Sequence, residues 1–506
     1  MLQSLLDGLV QTLAWPAFGF LLIGMAIGFT VGILPGLGGA VTLALMLPFT
    51  FDMEPTQAFA FLLGMLSVTA TTGDMTSVLF GVPGESTSAA LVLDGYALSK
   101  KGQAGRALGA ALFASLLGAV IGAIALVAAI PVVRPLVLSF GSPEFFALII
   151  LGLTFVATLG RGKMLRSLAA ASFGLLLSTV GMDPQSGIPR FTFGSLQLWD
   201  GIGLVAVAIG LFGLPEVIDL ASRRGSIAGD VTSKVSDVKE GIKDVIRHRW
   251  LLIRASLLGV FIGILPGLGS SVAQWVAYGH AVQTSKDPSR FGKGAIEGVI
   301  APATVNNSKE GGGLVPTVAF GIPGGLTMAI LLGAFLIQGI QPGTEMLTTH
   351  LDLTMSFVWM IVISNLIAVP LALMAVKPIA RITTVRSSLI VPPVLLLLFI
   401  GAYSESNTMF SIVVMLAFGL LGMAMVKLDW PRAPLVLGLV LGGLAENYLF
   451  LSVSRYDWSW LTRPLVLVII VVAVSSALVS PVRGIWLRRA AVRTVTAGEP
   501  SAKERV

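Results

Sequence analysis

The sequence predicts an all-α, polytopic integral membrane protein made of two inverted-topology repeats with broken, re-entrant Pro-Gly helices. Three observations predict it. Apolar stretches of spanning length fill the chain, two Pro-Gly motifs each occur twice, and the basic residues lie in opposite sense around the two copies.

The apolar stretches come first. The chain is 55% hydrophobic and 12% charged, with mean hydropathy +0.90, a balance that suits lipid rather than water. Runs at 114–131, 201–214, 353–376 and 464–480 approach the ~20 residues that a helix needs to cross a bilayer. Other classes recede on the same inventory. No cysteine is present, so disulfides and thiolate metal sites are excluded. His248, His280 and His350 are scattered without HExxH spacing, and no nucleophile–base pair stands out, so an enzyme is not expected and neither is a cofactor or a bound metal. The net charge of +7 sits in short loops between apolar segments, as cytoplasmic loops require, and gives no reason to expect nucleic acid. No basic region precedes the first apolar stretch, so a removable signal peptide is not expected.

The repeats come second. GILPGLG occupies 32–38 and recurs at 263–269. TTGDMTSVLFGVPG at 71–84 is echoed by GGGLVPTVAFGIPG at 311–324. Pro lacks an N–H, and Gly accepts dihedrals closed to other residues. Placed in hydrocarbon, the pair frees backbone groups that must find partners. A paired set of such interruptions points to a secondary transporter whose site lies where broken helices of the two halves meet.

The charges come third. Residues 1–99 contain no Lys or Arg; Lys100, Lys101 and Arg106 are the first. The positive-inside rule places the amino end outside and the 97–106 loop inside. Segments 107–131, 143–160, 167–182 and 201–218 then alternate, and the basic stretch 222–250 follows. The second repeat therefore starts inside. Its IQGIQPGTEMLTTHLD stretch lacks Lys and Arg and falls outside, and 353–376, 387–402, 408–426, 433–450 and 464–482 alternate to a basic tail. The organisation read from this is a first transmembrane repeat over 1–221, a cytoplasmic linker over 222–250, a second repeat with an extra crossing over 251–482, and a cytoplasmic tail over 483–506. Equivalent motifs then face opposite sides, which is an inverted repeat; a parallel duplication is the alternative.

The candidate site gathers at the interruptions. Helix N-termini offer free N–H groups to a carboxylate, and unwound carbonyls suit Na⁺. From the first copies the substrate- or ion-binding candidates are Gly36, Gly38, Ser77, Pro83, Gly84, Ser86 and Thr87. From the second they are Gly267, Gly269, Ser270, Asn306, Asn307, Pro323, Gly324 and Thr327. Ser77 aligns with Thr317 and Thr87 with Thr327. Asp74 and Lys309 are charges beside the breaks, expected to tune the site; a pseudo-two-fold axis could bring them together, and a loop position at the membrane surface is the equal alternative for either. Isolated Pro kinks and helix–helix hydrogen bonds explain any one of these features; the duplication favours a site. Glu85, Asp94 and Glu297 have no evident place, and Glu446-Asn447 reads as interfacial.

These residues, in this order, resemble the large membrane subunit of the tripartite tricarboxylate transporters, the TctA family. The resemblance runs from about Gly28 to Arg463. It rests on GILPGLGG, VPGESTSAALVLDGY (82–96), EGVIAPATVNN (297–307), GIPGGLTMAILLGAFLIQGIQPG (321–343) and APLVLGLVLGGLAEN (433–447). It implies a multi-pass subunit of the bacterial inner (cytoplasmic) membrane, amino end periplasmic and carboxyl end cytoplasmic. Its partners would be a small four-helix membrane subunit (TctB-like) and a periplasmic solute-binding protein (TctC-like). Its activity would be import of an organic di- or tricarboxylate, usually Na⁺-coupled, by alternating access of an elevator kind. A proton-coupled carrier and an anion channel are the alternatives. The chain departs from the family pattern at Asp74, where a neutral residue is usual, at Ala303, where a carboxylate is usual, and at Lys309, where small residues are usual.

Overall fold

A computed structural model describes residues 1–33, 38–158, 164–183, 185–222, 237–265, 270–382 and 387–475. The first half runs α1 (Leu2–Leu13), α2 (Ala17–Gly32), α3 (Gly39–Met46), α4 (Pro55–Phe80), α5 (Leu91–Lys100), α6 (Ala104–Leu138), α7 (Ser142–Thr158) and α8 (Met164–Ser178). A two-stranded antiparallel hairpin follows, β1 (Gly181–Met182) with β2 (Pro189–Arg190). Then come α9 (Leu204–Ala208), a π-helical turn at Ile209–Gly213, and α10 (Leu214–Ser222). The second half runs α11 (Val238–Arg247), α12 (Arg249–Ile264), α13 (Ser270–Thr284), α14 (Glu297–Phe320), α15 (Leu326–Ile337), α16 (Leu351–Ile382), α17 (Ser387–Ser406), α18 (Met409–Lys427) and α19 (Ala433–Tyr456). An apolar helix, Pro464–Ser475, closes the described chain.

The protein is an all-α, polytopic membrane protein. Helices α4, α6, α16, α18 and α19 are long and apolar enough to cross a bilayer, and α1 with α2, bent by 69° at their junction, would make a sixth span. The other expected crossings fall on shorter apolar helices: α7, α8, α17 and Pro464–Ser475. The expected 201–218 crossing is the chain α9, π turn, α10, in which a π turn interrupts the regular ladder.

The two halves repeat an element order. A helix ends at the GILPGLG motif (α2, α12), and a short helix follows it (α3, α13). A long helix ends at the Pro-Gly motif (α4, α14), and another short helix (α5, α15) leads to a long apolar one (α6, α16). Helices α4 and α14 are the central pair. The apolar window of α4 is wholly buried, and α14 is buried from Gly298 to Ala319. Their partners are exchanged between halves, since α6 packs on α14 and α16 packs on α4. A second group, α7 to α10 and α17 to α19, packs mainly within itself. Helices α3 and α15 lie between the groups: α3 touches the π turn, and α15 touches α3 and α19. Phe59, Phe335 and Phe357 join α4, α15 and α16, with Phe59 centroids 4.5 and 4.8 Å from the other two.

Part of the expected linker forms helix α11. Helix α11 lies on α6, where Arg106 Nε donates to Asp244 Oδ2 at 2.6 Å. The rest of that linker from 223 to 236, and the expected tail, fall outside the described residues.

Candidate functional site

The Pro-Gly interruptions are narrower than the motifs suggest. Helix α4 continues unbroken through 71–80 and α14 through 304–320; the breaks occupy 81–84 and 321–324. Each helix stops at a glycine in the left-handed region, Gly81 at φ 68° and Gly321 at φ 67°, a conformation open to Gly and closed to most residues. Val82-Pro83 and Ile322-Pro323 follow, where Pro cannot continue a helix. Each turn then presses its last glycine into a glycine-lined slot. A Cβ on Gly84 would lie 2.6 Å from Gly73 Cα and 2.8 Å from Gly32 O, and one on Gly324 would strike Gly263 O and lie 3.2 Å from Gly313 Cα. Gly32 and Gly263 open the two GILPGLG motifs, so equivalent glycines make equivalent contacts in both halves. Both motifs thus act together, each holding the other's turn.

Around these turns lies a buried polar cluster. Asp74 is completely buried on α4. Its Oδ1 accepts from Asn306 Nδ2 at 3.0 Å, while its Oδ2 has no hydrogen-bond partner among the described residues. Asn306 Nδ2 also donates to Ala70 O at 2.8 Å, and its Oδ1 is unpartnered. Asn307 Nδ2 stands 2.8 Å from three acceptors, Thr71 Oγ1, Ser115 Oγ and Asn365 Oδ1, and its Oδ1 too is unpartnered. One amide therefore ties α14 to α4, α6 and α16. Thr87 and Ser88 are buried just past the first break, Thr87 beside the Glu85 carboxylate and Ser88 beside that of Asp74. Glu85 Oε2 accepts from the backbone N–H of Gly39 at 3.3 Å, joining the first break to the start of α3.

At the second break Lys309 Nζ lies 3.0 Å from Glu310 Oε1, and both side chains are about 5% exposed. They border a cavity of about 20 Å³ together with Gly324, Gly325 and Thr327, room for about one water. Glu85 and Lys309 lie within electrostatic reach of Asp74, and Lys309 and Glu310 within reach of Glu85. The expected approach of Asp74 to Lys309 is thus found, but as neighbours rather than an ion pair. Lys309 is taken by Glu310, and Asp74 by Asn306.

The sequence candidates distribute unevenly. Asp74, Thr87, Asn306 and Asn307 join the cluster, and Pro83 and Gly84 form its turn. Lys309, Pro323, Gly324 and Thr327 form the second turn and cavity. Gly38 is the N-cap of α3, facing Glu85. Ser77 Oγ donates to Gly73 O at 3.3 Å and its counterpart Thr317 Oγ1 to Gly313 O at 2.7 Å, so both hydroxyl protons are used inside their own helices. Gly36, Gly267 and Gly269, and the side chains of Ser86 and Ser270, fall outside the described residues.

Sequence reasoning missed Ser115 and Asn365. An Asn within the apolar stretch 351–375 is itself a signal, because a polar side chain at membrane depth needs a partner. Asp94 gains a place as an acceptor from Gly294 N (2.7 Å), Ala295 N (2.8 Å) and Tyr278 Oη (2.9 Å), fastening α5 to the entrance of α14. Glu446, expected to be interfacial, pairs with Arg190.

A cluster with three carboxylates, one ammonium and several oxygens lacking donors can hold a cation. The hydroxyls and turn N–H groups beside it can hold an anion.

No solved structure matches the chain. An uncharacterized 52.8 kDa protein in the TAR-I ttuC′ 3′ region of Agrobacterium vitis is 34% identical over 471 residues, covering 92% of this chain and 93% of the relative. An uncharacterized protein in the TAR-II ttuC′ 3′ region of the same organism is 34% identical over 210 residues, covering 41% of this chain and 87% of that protein. The model of the tripartite tricarboxylate transporter TctA family matches residues 18–437, a span that holds both breaks and the buried cluster between them. The chain belongs to the TctA family of tripartite tricarboxylate transporter subunits.

Proposed function

We propose that this subunit carries an organic di- or tricarboxylate across the inner membrane, coupled to Na⁺, at the buried cluster between the two Pro-Gly turns. The observation that carries the reading is three buried oxygens that have no hydrogen-bond partner among the described residues: Asp74 Oδ2, Asn306 Oδ1 and Asn307 Oδ1. Buried acceptors are ordinarily satisfied, and a sodium ion supplies what these lack. With Asp74, Glu85 and Glu310 against one Lys309, the site repels a carboxylate until a cation enters. Cation binding and substrate binding are therefore coupled by charge alone.

The movement is alternating access. The group around α4 and α14 travels against the α7–α10 and α17–α19 group, with α3 and α15 at the sliding surface. The repeats lie inverted about an axis in the membrane plane. The exchange of α6 and α16 between halves supports this. So does the meeting of Lys101 with the 285–297 loop, through Lys101 Nζ and Lys293 O at 2.5 Å, because the 97–106 loop reads as cytoplasmic and the 285–297 loop carries Lys286, Arg290 and Lys293. The periplasmic solute-binding protein and the small four-helix subunit complete the system. Proton coupling is the second reading, favoured by one feature: Asp74 is a fully buried carboxyl with no ion-pair partner among the described residues.

Uptake of labelled citrate and succinate into proteoliposomes holding the complete complex tests both. Saturable uptake driven by an inward Na⁺ gradient is expected. Uptake driven by a pH gradient and indifferent to Na⁺ establishes the second reading, and uptake linear in substrate, with neither dependence, establishes a pore.

A further inference from the structure

A cavity of about 530 Å³ opens between the hairpin, the end of α8, the end of α15 and α19. Two residues near the end of α15, Leu336 and Gln341, form part of its wall, whereas Thr327 at the start of α15 borders the small cavity at the second break. The helix's 12 residues span about 18 Å at 1.5 Å per residue, so α15 leads from this cavity to the buried cluster. The stretches 183–197 and 338–352, both free of the charge pattern of cytoplasmic loops, meet here.

Among the described residues Arg190 is the one cation on the wall, which also carries Glu446 and Asp200. Its Nη1 donates to Glu446 Oε1 at 2.5 Å and its Nη2 to Oε2 at 3.0 Å, a two-pronged grip on a planar carboxylate. The pair is about a quarter exposed on each side, and Arg190 Nε is buried with no partner. Neighbouring Asn447 accepts from Gln185 Nε2 at 3.3 Å. The remaining wall is largely apolar, with Met182, Trp199 and Leu444.

We propose that Arg190 is an entry subsite for one carboxylate group of the incoming organic anion, which displaces Glu446 from the guanidinium fork. This rests on the transport reading above. A fork of this kind matches any carboxylate equally well. A partly exposed ion pair is worth little, so exchanging one carboxylate for another is nearly isoenergetic. The spare Nε–H gives the incoming anion a donor that Glu446 leaves unused. The volume suits a small organic acid, and Glu446, once released, moves into the cavity's solvent. The native chain has no cysteine, and the space beyond Gly443 on the wall is open.

The test is alkylation of Gly443→Cys by a sulfonated maleimide, in full-length protein in nanodiscs. Citrate and succinate serve as probes, and trimethyl citrate as the uncharged control. Both acids are expected to slow alkylation and the ester to leave it unchanged. Glu446→Gln is expected to lower the half-protecting concentration about three- to tenfold, because the internal competitor is gone. Arg190→Gln should abolish protection. Arg190→Lys, which keeps the charge and loses the fork, should leave part of it, and a thermal melt of each variant verifies folding. Equal protection in Arg190→Gln, protection by the ester, or none by either acid overturns the subsite. Citrate and succinate uptake by the same Gly443→Cys protein in its complex separates the two ideas. Uptake without protection sinks the subsite and leaves transport standing; protection without uptake keeps the subsite and sinks transport.

Discussion

Asn307 Nδ2 carries two N–H bonds and meets three acceptors on three helices, so one acceptor is always waiting. Such a group fixes where α4, α6, α14 and α16 meet and still leaves a choice of arrangement. Replacing it by Ala takes the donor from Ser115 and leaves Thr71 and Asn365 only each other and their own helices. Loss of about 1–3 kcal/mol is expected, seen as a lower unfolding midpoint of the purified protein; an unchanged midpoint would mean that the amide is idle. Asn306→Ala acts on function instead. Losing an ion ligand of similar worth should weaken apparent Na⁺ affinity roughly five- to 150-fold, measured as the Na⁺ concentration for half-maximal uptake. Asp74 and Lys309 make no ion pair with each other. Both are buried in one cluster, so their double variant should couple through the shared field by about 0.5–3 kcal/mol, in a double-mutant cycle on transport. Additive losses would show that neither charge feels the other.

At the scale of elements, the breaks were legible because their causes are local. A glycine that must take positive φ, followed by Pro, stops a helix wherever it falls, and both copies stop at that glycine. The extent of the breaks was less legible. TTGDMTS and NNSKE look too polar for a helix in a membrane, yet both are helical because protein rather than lipid surrounds them. Hydropathy for the same reason does not mark α14 as a span, although it is among the most buried helices. Hydropathy measures fitness for lipid, and a helix enclosed by other helices is free of that demand. The contacts of Ser115 and Asn365, and of Arg190 with Glu446, join residues far apart in the chain, and no local pattern announces them. Adjacent glycines in the second turn give a sharp check on the packing. Gly324→Ala should cost about 1–3 kcal/mol by overpacking and abolish uptake. Gly325→Ala, in extended backbone with open space beyond it, should leave unfolding near wild type. Equal behaviour of the two variants would show that the slot is loose.

At the scale of the molecule, duplication was plain from the motifs, but the division into two helix groups was not. The second group holds no motif copies; it is defined by what packs on what. Inversion also belongs to this scale, and accessibility tests it in the cysteine-free background. Ser99 and Met346 are buried, so the exposed neighbours Lys100 and Thr348 are the better positions. Lys100→Cys should react from the cytoplasmic side alone and Thr348→Cys from the periplasmic side alone; labelling of both from one side would establish a parallel duplication.

The central claim is that the unpartnered oxygens of Asp74, Asn306 and Asn307 hold the coupling cation, and equilibrium binding of ²²Na⁺ to the purified chain tests it without knowledge of the carboxylate. The account predicts saturable binding in wild type, and its loss in Asp74→Asn and Asn306→Ala variants that still unfold cooperatively. Absence of saturable binding to the wild-type chain, or binding of equal affinity in both variants, would contradict it.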